Sequence, residues 1–242
     1  MAEVENGMLI IRDALLADTK RRRADPTDVL IKNGIILAVG HGLEAPADAK
    51  VIDGSCYIIH PGLINAHTHG HGGLARGQAD KWTLELLLAA APWIGGNRSL
   101  QDKKLTTQIV AAEMVLKGCT AAYDLYAEFP LPTKDGLDAV AEAYAGIGMR
   151  AVIAPMVADK TVYEAVPGLY ESLPDGLRAR VDQMRLPAWE RTLAGMREAI
   201  ATWRWNSKDI RVAVAPTIPH HCSDVFMCAC RDLAREYQLG MH

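Results

Sequence analysis

The sequence lacks any long apolar run. No stretch of about 18 consecutive apolar residues is present, so we expect no transmembrane helix. The N-terminal segment also lacks the charged start and apolar middle that mark a signal peptide. Cysteine is scarce. The chain has five, which is an odd number, and they are scattered at positions 56, 119, 222, 228 and 230. That distribution does not fit a disulfide framework, and we expect a protein of the reducing cytoplasm.

An excess of positive charge is absent too. The chain has 26 Lys and Arg against 29 Asp and Glu, which gives a formal net charge of −3. Proteins that bind nucleic acid through its phosphates carry basic surfaces, so we expect no nucleic-acid partner and, without an apolar span, no membrane partner. Half of the 242 residues are hydrophobic, which is enough apolar material for a sizeable core.

Several catalytic signatures are missing. The sequence has no G-x-S-x-G nucleophile elbow, no P-loop, and no H-x-E with P-C-x-x-C of the zinc deaminases that act on nucleic-acid bases. A local zinc site near His220, His221 and Cys222 would need Cys228 and Cys230 to face one ion. On a helix these two cysteines lie about 200° apart around the axis, so we do not expect that site.

The pattern of the chain changes near residue 60. The first 60 residues consist of short β-rich runs, two of which flank Asn33-Gly34, and Asn-Gly tolerates the positive φ of a type I′ hairpin turn. After residue 60, strands alternate with helical patterns, which predicts βαβ units around a parallel sheet. We count four units and the opening of a fifth strand. Residues 158–186 are the least regular part and suggest a long loop with a short helix.

Histidines crowd the end of the first strand of this α/β part, in the segment HPGLINAHTHGHGGLARG at residues 60–77. His67 and His69 are two positions apart, and side chains alternate faces along a strand, so both imidazoles point to the same side. Two neutral imidazoles on one face suit a divalent ion. An H-x-H pair also arises by chance. The strand before it and the glycine-rich loop after it favour a metal site.

These motifs resemble the amidohydrolase superfamily, and within it the aminohydrolase branch that deaminates cytosine, guanine and adenosine-type substrates. The segment VIDGSCYIIHPGLINAHTH at residues 51–69 is similar to the family's passage from a sandwich into a barrel, with its P-G-x-x-x-x-H-x-H pattern. LARG at 74–77, AAEMVLKGCTAAYD at 111–124 and PHHCS at 219–223 support the resemblance. It covers essentially the whole chain.

The resemblance implies an α/β fold with a TIM-type (β/α)8 metal-dependent hydrolase barrel. Residues 61–242 would form its first half, about strands 1 to 5, and residues 1–60 the N-terminal part of a small β-sandwich domain. A complete barrel alone takes about 250 residues, so we expect the chain to be the N-terminal part of a longer enzyme, inactive by itself.

The resemblance also implies a ligand set for one divalent metal, Zn²⁺ most often and Fe²⁺ in some members. His67 and His69 match the histidine pair of strand 1, and His242 stands where the family has its strand-5 histidine. In the family that histidine opens an H-x-x-E run whose Glu moves protons. We therefore expect the general acid/base Glu beyond residue 242, together with a further His and an Asp that complete the metal site.

The implied reaction is hydrolytic deamination of a purine, pyrimidine, pterin or related small heterocycle by a metal-activated water. His221 and His71 are candidate substrate contacts, each against the alternative of an ordinary loop histidine. Two other functions stay open: a chlorohydrolase or amide hydrolase on the same scaffold, and a non-catalytic barrel scaffold protein. A homo-oligomer is common in the family, and nothing in the sequence shows one.

Overall fold

The chain forms two compact units. The computed structural model describes residues 7–242, and its first unit ends at Gly62 while the second begins at Leu63. The division that the sequence suggested, after residue 60, lies close to this boundary.

The first unit is one five-stranded sheet. Its strands are β1 (Met8–Asp18), β2 (Arg23–Lys32), β3 (Ile35–Gly40), β4 (Lys50–Asp53) and β5 (Ile58–Ile59). β2 and β3 are antiparallel and meet at Asn33 and Gly34, whose φ angles of 51° and 75° confirm the hairpin prediction. β1 pairs antiparallel with β2 and parallel with β4 and β5. Among residues 7–62 no second sheet packs on this one, so the first unit is a single layer there and the β-sandwich stays a prediction.

The second unit is built on a parallel sheet whose strands are adjacent in sequence order. They are β6 (Leu63–Thr68), β7 (Cys119–Tyr126), β8 (Arg150–Val157), and β9 (Ile210–Val212) with β10 (Ala215–Pro216), which share one position beside β8. Val214 lies between the last two and forms a parallel bridge with Met241, where a fifth strand opens. This arrangement confirms the prediction of a parallel sheet that forms the first part of an α/β barrel. Because parallel strands run in one direction, their carboxyl ends share one edge.

Helices follow the strands. They are α1 (Leu84–Gly95), α2 (Leu100–Leu116), α3 (Lys134–Ile147), α4 (Val162–Ala165), α5 (Leu169–Ser172), α6 (Asp175–Asp182), α7 (Trp189–Ala201) and α8 (Asp224–Glu236). The hydroxyl of Ser223 accepts a hydrogen bond from the Phe226 N–H, so Ser223 is the N-cap of α8. None of the helices in the described part of the chain is long and apolar enough to span a membrane.

Two segments differ from the sequence-based prediction. Residues 158–186 contain three short helices, α4 to α6, instead of a loop with one. Helix α1 was not predicted, and it buries none of its residues. Its sequence is apolar around most of its circumference, so it offers no helical periodicity from which to recognise it.

Two apolar clusters fill the space between the sheet and its helices. Tyr126 and Tyr144 are central to the first cluster, which packs α2 and α3 against β7 and β8. Phe226 and Met196 are central to the second, which packs α7 and α8 against the end of β8 and the fourth strand position. The helices thereby pack against one face of the strands and support the residues at the carboxyl ends of the strands.

Candidate active site

The end of β6 brings two imidazole rings together. The Nε2 atoms of His67 and His69 are 3.2 Å apart, because the intervening Thr68 turns to the other side of the strand. Two nitrogens bound to a tetrahedral zinc ion at about 2.0–2.1 Å would lie about 3.3–3.4 Å apart. The pair therefore has the spacing of two ligands of one metal ion.

The ring of His69 is fixed by the neighbouring strand. Its Nδ1 lies 2.9 Å from the carbonyl oxygen of Leu125 at the end of β7. A carbonyl can only accept, so Nδ1 carries a proton, which leaves Nε2 as the ring nitrogen available to a metal ion. This is the tautomer that a metal ligand needs, and a backbone carbonyl is a common outer partner of metal-binding histidines.

His242 comes alongside this pair. Its N–H donates to the carbonyl of Val214 at 2.9 Å, which extends the pairing begun by Met241. Its ring centroid lies 5.5 Å from that of His67 and 5.0 Å from that of Tyr123. Within residues 7–242 no three His, Cys, Asp or Glu side chains are arranged to hold a metal ion. His67 and His69 thus supply two nitrogens with the spacing of metal ligands. His242 lies next to them but is not positioned as a third ligand.

His71 lies in the 3-10 helix Gly70–Ala75 that follows β6, with its ring centroid 5.4 Å from that of His69. The N–H of Ala127 donates to its Nδ1 at 3.2 Å. Burial, followed by the nearby charges of His69 and Arg98, lowers the pKa of His71 to about 3. The imidazole is therefore neutral near neutral pH, with its remaining proton on Nε2, where it can donate a hydrogen bond.

His221 lines a cavity at the carboxyl edge of the sheet. It belongs to the 3-10 helix Pro219–His221 after β10, and its carbonyl oxygen accepts from the N–H groups of Asp159 and Lys160 at 3.2 and 3.0 Å. The cavity has a volume of about 390 Å³, and His71 is not part of its wall. Burial and the neighbouring His220 lower the pKa of His221.

The cavity walls are mostly apolar, with a few polar groups. They come from α1, from the chain that leaves β7 and β8, from residues 183–186, and from Thr217 beyond β10. Ala127, whose N–H contacts His71, is one of the lining residues. The cavity therefore adjoins His71 through Ala127, whereas His67, His69 and His242 do not line it. It lies at the carboxyl edge, where parallel α/β folds bind their ligands.

Sequence reasoning missed two buried carboxylates at this edge. Glu128 accepts from Lys103 Nζ at 2.5 Å, from Tyr126 at 3.1 Å, and from the backbone and hydroxyl of Thr133. Asp124, near the end of β7, accepts from the Gly70 N–H at 2.8 Å. The available signal was an acidic residue at the carboxyl end of an apolar strand.

Comparison with known proteins identifies the family. Residues 58–242 match the model of the Amidohydrolase family, so the chain belongs to this family. It is 31% identical over 248 residues to a 5-methylthioadenosine/S-adenosylhomocysteine deaminase of Syntrophobacter fumaroxidans, an alignment that covers 98% of this chain and 47% of the relative. It is 27% identical over 246 residues to a 5'-deoxyadenosine deaminase of Methanococcus maripaludis, covering 97% of this chain and 48% of that protein.

Solved structures share the fold. An atrazine chlorohydrolase from Arthrobacter aurescens complexed with zinc superposes with a TM-score of 0.75 at 24% identity, over 97% of this chain and 52% of that one. A guanine deaminase from C. acetobutylicum with bound guanine gives a TM-score of 0.73 at 17% identity, with the same coverage. These likenesses confirm the amidohydrolase fold of TIM-barrel type. The chain spans about half the length of the curated relatives it matches.

Proposed function

We propose that this chain is part of a metal-dependent aminohydrolase. The observation that carries the proposal is the pair of ring nitrogens of His67 and His69, 3.2 Å apart, with the His69 tautomer set by the Leu125 carbonyl. In our proposal His67 and His69 hold one divalent ion, with His242 as a third ligand after a small movement of its ring. Zinc is the preferred metal, since imidazole ligands in tetrahedral arrangement suit it, and ferrous iron is the alternative.

A divalent ion supplies, when bound, a water acidic enough to act as a nucleophile near neutral pH. The chain's own residues orient the site: Leu125 holds one ligand ring, and the neutral His71 offers an Nε2–H at its side. We assign His71 and His221 as substrate contacts, His221 through the cavity that it lines. In this proposal the general acid/base is a glutamate that we expect after His242.

The proposed substrate is a small amino-substituted heterocycle, and an adenosine derivative is our first choice. Two relatives that align with nearly all of this chain are named as deaminases of such nucleosides. A cavity of about 390 Å³ falls within the range of small-molecule sites, and its apolar walls with a few polar groups suit a heterocycle carrying a substituent.

The test is ammonia release from a panel of heterocycles by the protein expressed from its complete coding sequence. The panel contains 5'-deoxyadenosine, 5'-methylthioadenosine, S-adenosylhomocysteine, guanine, cytosine and atrazine. We expect metal-dependent ammonia release from at least one adenosine derivative. His69→Ala should abolish it, whereas His41→Ala, a change at an exposed loop histidine, should leave it intact.

Other outcomes decide against this proposal. Chloride release from atrazine without ammonia release from any amine would favour a chlorohydrolase, and release of an amine from an amide would favour an amide hydrolase. A protein that retains no metal after metal-supplemented expression and acts on nothing would favour a barrel scaffold.

We also propose that the protein is located in the cytoplasm and that it forms a homo-oligomer. All five cysteines are unpaired, as thiols in a reducing compartment would be. Light scattering on the purified protein measures its assembly directly.

A further inference from the structure

Asp124 is a carboxylate without solvent exposure near the end of β7. Its Oδ1 accepts from the Gly70 N–H at 2.8 Å, and its Oδ2 accepts from the hydroxyl of Tyr144 at 2.9 Å. Tyr144, on α3, is also fully buried. Each carboxylate oxygen thus has one fixed partner, and the helix behind the sheet holds the carboxylate in place.

The chain after β6 is held residue by residue from β7. The Leu125 carbonyl fixes the ring of His69, the Asp124 carboxylate fixes the N–H of Gly70, and the Ala127 N–H fixes the ring of His71. The fit at Gly70 is close, since a Cβ there would lie 2.5 Å from Oδ2 of Asp124. Asp124 therefore determines where the peptide that follows His69 can lie.

The partners of Asp124 are uncharged. In the described part of the chain its carboxylate contacts one backbone N–H and one phenol, and no Lys, Arg or His forms an ion pair with it. Burying an anion without a cation is costly, and such a group calls for an explanation. A cation bound at His69, the residue that precedes Gly70 in the chain, would supply a positive charge.

We propose that Asp124, oriented by Tyr144, is a positioning residue of the metal site: it holds the His69–Gly70 peptide in place and supplies a buried negative charge that strengthens binding of a divalent cation. This inference rests on the proposed metal site at His67 and His69. Asp124 does not ligate the ion in this account, since in the described residues its carboxylate does not join His67 and His69 in a group that could hold a metal ion.

The test measures binding of Zn²⁺ and Co²⁺ to the metal-free protein by calorimetry and by the visible absorption of Co²⁺. Asp124→Asn keeps the shape and removes the charge, and Tyr144→Phe removes only the orienting hydroxyl. We expect Asp124→Asn to raise the Kd at least 10-fold and to shift the Co²⁺ spectrum, since outer partners of metal sites are worth about 10–100-fold in affinity. Tyr144→Phe should raise it by a smaller factor.

The matched control is Asp138→Asn. Asp138 lies on α3 and accepts from the ring N–H of Trp205 at 2.9 Å, away from β6. Its variant should bind metal within twofold of the wild type. Should Asp124→Asn fail to fold, Tyr144→Phe decides, because it preserves the carboxylate and its contact with Gly70.

The outcomes separate the two claims. Wild-type protein that binds and an Asp124→Asn variant that binds equally well, with an unchanged spectrum, would overturn the role of Asp124 and leave the metal site standing. Wild-type protein that binds neither ion would overturn the metal site, and the role of Asp124 with it.

Discussion

Replacing Asp124 by Asn should stabilise the protein at alkaline pH. Burial raises the pKa of Asp124 from 3.8 to about 6, against the opposing hydrogen bonds from Gly70 and Tyr144. The folded state therefore holds this proton more tightly than the unfolded state does. The contribution of Asp124 to stability is fully present below pH 3.8 and is lost as the pH rises through about 6.

The size of this effect follows from the shift. A difference of about two pKa units corresponds to about 3 kcal/mol, which is the cost of the buried carboxylate once it is ionised. Asn does not ionise, and its amide can still accept from Gly70 and meet the Tyr144 oxygen. Rearranging the hydrogen bond with Tyr144 costs about 1 kcal/mol, so Asp124→Asn should gain about 2 kcal/mol at pH 8.

Urea unfolding of metal-free wild type and Asp124→Asn, at several pH values from about 4.5 to 8, measures this difference. The stability of the variant minus that of the wild type should grow by about 2 kcal/mol over this range. A difference that stays constant with pH would refute the argument, because it would mean that folding does not raise the pKa of Asp124. With weaker metal binding in the same variant, the site and the fold would make opposite demands on one residue.

Two further changes test the framework around the site. Gly148 ends α3 with φ of 79°, so Gly148→Ala should lower the free energy of unfolding by about 1 kcal/mol. Gly176 lies within α6, so Gly176→Ala should raise the free energy of unfolding by about 0.5 kcal/mol. Urea titration of the two variants measures both changes. Phe226 is fully buried in the second cluster, so Phe226→Ala should lower the free energy of unfolding by about 3–5 kcal/mol in thermal or urea unfolding. The side chain of Val225 is 62% exposed, so Val225→Ala should change the free energy of unfolding by no more than about 0.5 kcal/mol. Equal losses in the two variants would contradict the packing described.

Much of the fold follows from local rules that the sequence displays. Asn33 and Gly34 fix a hairpin because their positive φ is set by the turn itself. The alternation of strands and helices after residue 60 specifies a parallel sheet, since each crossover helix must pack back on its strands. The beginning of α8 at Ser223 is likewise set by a local capping contact. These features need no knowledge of distant partners.

The remaining differences arise from contacts or patterns that local rules do not specify. Helix α1 lacks a polar face, so its apolar run could not be distinguished from buried structure. The first short helix of residues 158–186 begins at a capping box of Thr161 and Glu164, a local signal for a helix start inside an otherwise irregular segment.

The candidate site shows the same division. The convergence of His67 and His69 follows from strand alternation and could be stated from the sequence. The carbonyl of Leu125, the carboxylate of Asp124 and the N–H of Ala127 reach the residues after β6 from more than 50 positions away in the chain. These contacts depend on the register between β6 and β7, which no local pattern fixes.

The central claim is that His67 and His69 hold a catalytic metal ion, and metal content tests it most directly. The protein would be expressed with added zinc, dialysed, and analysed by mass spectrometry for metal per chain, beside His67→Ala, His69→Ala and His41→Ala. We expect about one ion per chain in the wild type and in His41→Ala, and far less in the other two variants. A wild type without metal, or variants at His67 and His69 that retain a full equivalent, would contradict the account.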